Sequence, residues 1–468
     1  LRMLDKLGCP LTREQRQEGD HLVILGGWSV SRNPLPLFDF ADVIGIGDSE
    51  HLVKLISETY RDNRQERERL FNLLSQQEGI ILPSRYAVST ENGYLTQWEA
   101  KDAPTDIKKS KSTAFPHSLY LSPETDYNDI GYYDGKTFFS MEIVDACASK
   151  CHFCASGYKE KHRDIQDPQA IVELAKIGAE HGADLAKLFF PANSSVAATK
   201  EIMKGLMANG MSPRVGSAKA ERIDHEYIEL IGKSGQEKIA FAPETGDYEL
   251  RKHLGKPGMT QEVLENVIIA SVDAGIPNLD FYLIMNLPGE AQDSFDRSID
   301  MLSGFYDLAK SKGLEGRVRM SAPNFFPKAG TTFQYAPSGE IDEYITKMDL
   351  LNYELDGKVK VSSMKGSVDL LSQNIMSRGG NEVGALMYEV YTKLKEQEAA
   401  TGIFTPDTVE DWRSAMADLG LNERAYFDAK DPNRQLPWEH IHLHDIPLAS
   451  LKKGWDVFKK KRSIFILD

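Results

Sequence analysis

Three of the four cysteines in this 468-residue chain fall within eight residues, Cys147-Ala-Ser-Lys-Cys151-His-Phe-Cys154. The C-x3-C-x2-C run follows an apolar, strand-like segment from Thr137 to Val144. Three thiolates on one short loop can hold three corners of a cubic 4Fe-4S cluster and leave the fourth iron without a protein ligand. An open iron lets a cluster bind and activate a small molecule, rather than only store an electron. The same cysteines with His152 also make a Cys3His set for zinc. In that arrangement His152 would have to fold back onto the metal from between two ligands, whereas structural zinc sites more often draw on two separated pairs. A disulfide framework is not expected, because Cys9 is remote and the chain shows no secretory pattern. Cys9 reads as a small buried residue.

A loop of this kind needs a scaffold. From 137 to about 321 the chain alternates strands near 137–144, 184–190, 213–217, 237–242, 278–286 and 316–321 with helices near 168–181, 198–208, 224–233, 260–274 and 291–312. Asp167-Pro168, Asp224 and Thr260 stand where helix N-caps belong. Repeated β–α units of about 30 residues predict a parallel sheet with right-handed crossovers. Six such units fit a partial, curved barrel rather than a closed eight-stranded one. Functional groups then gather at the carboxyl ends of the strands, where the cysteine loop lies.

Residues 1–65 read as helix, strand, loop, strand, helix. Gly26-Gly27 follows the first strand (21–25) and Gly47-Asp48-Ser49-Glu50 follows the second (42–46). This is the grammar of a doubly wound parallel sheet, whose ligands bind beyond the strand ends. Gly26 and Gly27 are therefore ligand candidates as well as turn formers. Two strands do not complete such a domain, and the chain opens on Leu1, so earlier strands are expected to precede it. Residues 66–136 read as a polar connector, and 322–468 as a mostly helical extension over the open side of the barrel.

Composition narrows the class. A hydrophobic share of 41% and a charged share of 27% suit a globular protein of more than one domain. A net charge of −15 argues against a general nucleic-acid surface, and no apolar run approaches a membrane span. Reduced thiols that hold a cluster point to the cytoplasm.

The cysteine spacing, with Phe153 just before the last cysteine, resembles the signature of the radical S-adenosylmethionine (radical SAM) superfamily. The resemblance implies that Cys147, Cys151 and Cys154 bind a 4Fe-4S cluster whose free iron takes SAM. It also implies reductive cleavage of SAM to a 5′-deoxyadenosyl radical, fed by an electron donor such as flavodoxin or ferredoxin. Residues at the other strand ends become cofactor contacts by the same resemblance. Asn193 and Ser194 stand where many members carry a glycine-rich turn, which is absent here. Ser217 and Lys219 fit a Ser-x-Arg position with lysine for arginine, which loses the bidentate fork. Glu244, followed by Arg251, is the candidate for the ribose hydroxyls, and Asn286 ends a strand similar to the adenine-contacting one. Asn33-Pro34, Ala242-Pro-Glu-Thr-Gly246, Leu287-Pro-Gly-Glu290, Phe326-Pro-Lys328, Phe333-Gln334, Ser377-Arg378-Gly379 and Leu436-Pro-Trp438 are similar to the subfamily that carries an amino-terminal cobalamin-binding domain. That likeness implies cobalamin and methyl transfer. The Asp-x-His-x-x-Gly loop that supplies a histidine to cobalt in many such domains is absent. The substrate stays open among a small molecule, a lipid precursor and a peptide.

Overall fold

The structure is a computed structural model. It describes residues 1–111, 120–122, 138–144, 147, 149–158, 167–180, 182–190, 196–291, 293–362, 366–442 and 446–462. Among the described residues no helix is long and apolar enough to cross a membrane.

The N-terminal strands β1 (Ile24–Leu25) and β2 (Val43–Gly45) pair in parallel, as the Gly-punctuated pattern predicts. A third strand, β3 (Ile80–Ile81), adds antiparallel to β2. This sheet therefore reaches into the segment expected to be a connector. The rest of that segment is more regular than expected. It forms a hairpin of β4 (Tyr86–Glu91) and β5 (Tyr94–Ala100), followed by the short β6 (Ile107–Lys108). The hairpin turns on Asn92 and Gly93, with φ of +52° and +69°. Asn-Gly at a two-residue turn matches the right-handed twist of the strands it joins.

The central unit holds two four-stranded sheets. One is ordered β10-β9-β8-β7, from β7 (Tyr120–Ser122), β8 (Phe138–Glu142), β9 (Leu185–Phe189) and β10 (Ser212–Val215). The other runs β11-β12-β13-β14, from β11 (Lys238–Glu244), β12 (Asn278–Leu283), β13 (Val318–Ser321) and β14 (Val359–Ser362). A parallel bridge from Ala218 to Phe241 joins them, with the Ala218 N–H donating to Ala240 O at 2.9 Å. Apart from β7, which runs antiparallel to β8, every paired neighbour is parallel. The result is an open arc of βα units, a partial barrel. β14 extends it beyond the six strands expected, into a stretch read as mostly helical.

Local chemistry sets the crossovers. Asp224 Oδ1 accepts from the Tyr227 N–H at 2.9 Å, and Thr260 Oγ1 accepts from Val263 N–H at 3.2 Å. These caps satisfy orphan donors at the starts of the helices His225–Lys233 and Gln261–Asp273. The apolar faces of these helices meet the sheet in one core. Ile231, Ile239, Ile268, Leu279 and Phe281 are fully buried there. Phe281 lies 5.1 Å from Phe305 and 6.2 Å from Phe241, ring to ring, so aromatic contacts add to area burial at the centre.

The C-terminal region begins with helices Ile341–Glu354, Ser367–Arg378, Glu382–Thr401 and Val409–Asp418. It continues to β15 (Ile441–His442), which pairs in parallel with β6, and to a last helix, Leu448–Arg462. The chain's late segment is thus stitched to its early one. A second aromatic core, with Phe325, Phe333, Trp438, Trp455 and Phe458, fills the space between this region and the cysteine loop.

Candidate active site

The cysteine loop leaves the carboxyl end of β8 and closes on itself. Cys154 N–H donates to Cys151 O at 3.1 Å, and Cys147 N–H donates to Ser156 O at 3.3 Å. Gly157 permits that closure, since a Cβ there would stand 2.1 Å from Ser149 O. All three cysteines are free thiols, with Cys151 buried and the others partly exposed. The Ser149 N–H points at Cys147 Sγ, 3.4 Å away, a donor suited to a ligating sulfur. Among the described residues no three His, Cys, Asp or Glu side chains are grouped as ligands of a single ion. His152 is turned from the thiols into the second aromatic core. Its ring meets Phe333 and Phe458 edge-on at 5.5 and 6.0 Å. A zinc set that needs this imidazole does not fit that orientation.

The strand-end groups converge from the other side. Lys219 Nζ bonds to Ser149 Oγ in the loop. Glu244 ends β11 with φ of +66°, a left-handed conformation rare for a residue with a side chain. Its Oε1 takes Lys256 Nζ at 2.5 Å, and the same ammonium donates to Ala242 O at 2.7 Å. Gly255, with φ of +96°, lets this turn pack against Lys150 and Cys151. Burial pushes the Cys151 thiol up to about 11, with Lys256 and Lys219 pulling the other way. Burial works to lower Lys256 too, but the charges of Glu244 and Cys151 outweigh it, and its pKa is raised. Phe153 packs at the edge of the aromatic core, its ring 5.9 Å from Lys256 Nζ.

Other candidates sit elsewhere. Ser217 is exposed beside β10. Asn286, with φ of +58°, lies three residues beyond β12 in a separate network, where its Nδ2 donates to Asn324 Oδ1 at 3.1 Å and its Oδ1 accepts from Lys347 at 2.7 Å. Arg251 is 1% exposed, and its guanidinium donates to Met259 O and Thr245 O, each at 2.6 Å. Those bonds tie it to the turn after β11. Asn193 and Ser194 lie outside the described residues. Gly26 and Gly27 are exposed after β1, and Gly27 has φ of +100° with open space where a Cβ would stand. Sequence reasoning missed Lys256. Its signal is the Gly255-Lys256-Pro257 turn one short helix after Glu244.

Comparison with known proteins agrees with this geometry. Residues 141–302, from β8 to the helix after β12, match the family described as "Radical SAM superfamily". Residues 1–83 match "Radical SAM proteins, N-terminal". The chain belongs to the radical SAM superfamily. It is an enzyme, and membership carries with it an iron–sulfur cluster and SAM as cofactors. The N-terminal match ends just beyond β3, consistent with a sheet that runs past residue 65. A curated relative, cytidylyl-2-hydroxyethylphosphonate methyltransferase of Streptomyces wedmorensis, is 25% identical over 207 residues. That alignment covers 42% of this chain and 36% of the relative, so the chain spans about a third of that protein's length. Among solved structures, the cobalamin-dependent radical SAM enzyme OxsB aligns over 87% of this chain and 59% of its own, at 13% identity and a TM-score of 0.39. The coproporphyrinogen III oxidase HemN of Escherichia coli aligns over 74% and 97%, at 11% identity and a TM-score of 0.35. With scores this low, the fold rests on the strand order and not on these likenesses.

Proposed function

We propose that this radical SAM enzyme holds a 4Fe-4S cluster on Cys147, Cys151 and Cys154 and uses SAM to abstract hydrogen from an unactivated carbon, with cobalamin-dependent methyl transfer to that carbon. One observation carries the reading. The three thiols share a closed loop at the carboxyl end of β8, and Lys219, Glu244 and Lys256 from neighbouring strand ends crowd onto it.

The cluster, when bound, supplies the single electron that cleaves SAM to methionine and a 5′-deoxyadenosyl radical. This chain's own residues do the rest. Cys147, Cys151 and Cys154 are the ligands, and the Ser149 N–H donates toward the Cys147 sulfur. Lys256 and Lys219 set positive charge beside Cys151 and offset part of the burial that opposes its deprotonation, which metal binding requires. Glu244 is held in its left-handed conformation by Lys256, so its second oxygen is oriented without a search of rotamers. The aromatic core on the far side of the loop excludes water, a condition for a reactive radical.

Methyl transfer is supported by the methyltransferase relative. The bare backbone at Gly26 and Gly27, exposed at the end of β1, suits close approach of a flat macrocycle. The acceptor belongs to one of three classes, a small molecule, a lipid precursor or a peptide. Anaerobic reconstitution tests the reading in two steps. The Cys147→Ala, Cys151→Ala, Cys154→Ala triple variant is expected to lose the iron–sulfur absorbance that the unaltered chain acquires, and retention of that absorbance would sink the ligand assignment. Hydroxocobalamin added to the full chain is expected to stay bound through gel filtration. Its complete loss would leave hydrogen abstraction followed by rearrangement, oxidation or coupling.

A further inference from the structure

Arg32 ends the five-residue helix Trp28–Arg32, which starts at Gly27 in the N-terminal unit. Its side chain leaves that unit and is buried against the cysteine loop. Nη2 donates to Ala155 O at 3.0 Å, on the residue after Cys154. Nη1 donates to Ala329 O at 2.7 Å. Ala329 leads into the turn Thr332–Tyr335, where the Phe333 N–H holds His152 O at 3.0 Å and Thr332 Oγ1 meets the Tyr158 hydroxyl at 2.7 Å. Both carbonyls that Arg32 grips therefore belong to the frame of the cysteine loop. A planar fork can bridge two such acceptors in a way that a single ammonium cannot.

The charge matters as much as the fork. Trp28 covers one face of the guanidinium at 4.3 Å, and its bond to Ala155 O sets the charge one residue from Cys154, where a thiolate would offset its burial. A buried cation is costly unless a negative partner faces it. A cluster ligated by three thiolates is such a partner, and it gains a further negative charge on reduction. In a low-dielectric setting a fixed cation at this position favours the reduced form.

We infer that Arg32 is a positioning residue through which the N-terminal unit frames the cysteine loop and raises the reduction potential of the cluster. The inference rests on the reading of Cys147, Cys151 and Cys154 as cluster ligands.

The test uses the full chain, reconstituted anaerobically with iron and sulfide, beside Arg32→Gln, Arg32→Met and Arg32→Lys. Iron and sulfide content is measured first, then the cluster is titrated with dithionite in the presence of mediators and followed by electron paramagnetic resonance. All four proteins are expected to load. At the midpoint of the unaltered chain, the reduced-to-oxidised ratio is expected to fall about tenfold in Arg32→Gln and Arg32→Met, which is about 59 mV for a one-electron couple. Arg32→Lys, which keeps the charge, is expected to hold the original midpoint. Loading by Arg32→Lys alone, at that midpoint, would also support the inference, since a cation at this position would then be needed both to seat the cluster and to set its potential. Neutral variants with an unchanged midpoint, a lysine variant shifted as far as they are, or loss of the cluster from all three variants would overturn it. An unaltered chain that takes up neither iron nor sulfide removes the ligand reading instead.

Discussion

Lys256 Nζ lies 2.5 Å from Glu244 Oε1, and each side chain is only 8% exposed. The pair joins the end of β11 to the turn that packs on Cys151. Breaking a buried ion pair from one side leaves an uncompensated charge and costs about 3–5 kcal/mol, whereas replacing both partners with apolar groups is often far milder. Lys256→Met and Glu244→Leu should each lower stability by that amount in urea unfolding, and the double variant should recover at least half of the summed loss. Strict additivity of the two losses would show that the groups are not coupled.

Gly157→Ala tests the closure of the cysteine loop. Its added carbon would meet Ser149 O at 2.1 Å, so the loop has to open, at a cost on the order of 1–3 kcal/mol. Iron uptake on reconstitution should drop several-fold, and the urea midpoint should fall by no more than that cost divided by the denaturant slope. Full iron loading at normal stoichiometry would contradict this account of the loop.

Acid should destabilise the protein through His440. This residue is 4% exposed and stacks on Trp98 at 3.6 Å, with neither ring nitrogen partnered. Burial, helped by His442, lowers its pKa to about 3. An unfolded histidine titrates near ~6.5, so below that value the unfolded chain binds a proton that the folded chain refuses. Stability therefore falls as pH drops from about 6.5 towards about 3, with a slope of up to ~1.4 kcal/mol per pH unit. Glu439 works in the opposite sense. Burial raises it to about 7, so its contribution is full below the unfolded carboxyl value and is lost as pH rises through about 7. Comparison of the unaltered chain with His440→Phe isolates the histidine. Between pH 7 and pH 5 the unaltered chain should lose about 2 kcal/mol more than the variant in urea unfolding. Parallel losses would rule the histidine out.

Asn33 ties the N-terminal unit to the C-terminal helices. Its Nδ2 donates to Gly379 O at 2.7 Å and lies 3.4 Å from Met376 O and Ser377 O. Asn33→Ala leaves a buried carbonyl unpaired and should cost about 1–3 kcal/mol. Asn33→Asp should be worse, since a carboxylate would face carbonyl oxygens. An aspartate variant as stable as the unaltered chain, measured by thermal unfolding, would dispose of this contact as a joint.

The barrel is legible in the sequence because each βα unit carries its own punctuation, such as Asp224 and Thr260 at helix starts. β14 is not, since Val359–Ser362 alternates with a lysine and is short, and only its pairing with β13 makes it a strand. The hairpin at Asn92-Gly93 had a readable turn signal, but the polar residues around it read as a connector. In the site, the cysteines announce themselves by spacing. Lys256 does not, because about 100 residues separate it from Cys151 and only the packing of Gly255 brings the two together. Arg251, an arginine after a strand end, looks like an anion clamp in the sequence, and in the fold its guanidinium bonds to carbonyls of its own turn. Several residues of the motifs singled out in the sequence prove to be joints. Asn33 meets Gly379, Trp438 Nε1 donates to Gln334 Oε1 at 2.8 Å, and Phe333 holds His152.

The joint between Asn33 and Gly379 spans 346 residues of chain. At translation rates of about 5–20 residues per second, the N-terminal unit waits on the order of 20–70 s after leaving the ribosome for its partner to be made. Through that interval β6 also lacks β15, and the cysteine loop lacks the aromatic wall contributed by Trp455 and Phe458. The thiols of a nascent chain are therefore open to oxygen and stray metals until the Leu448–Arg462 helix has been made.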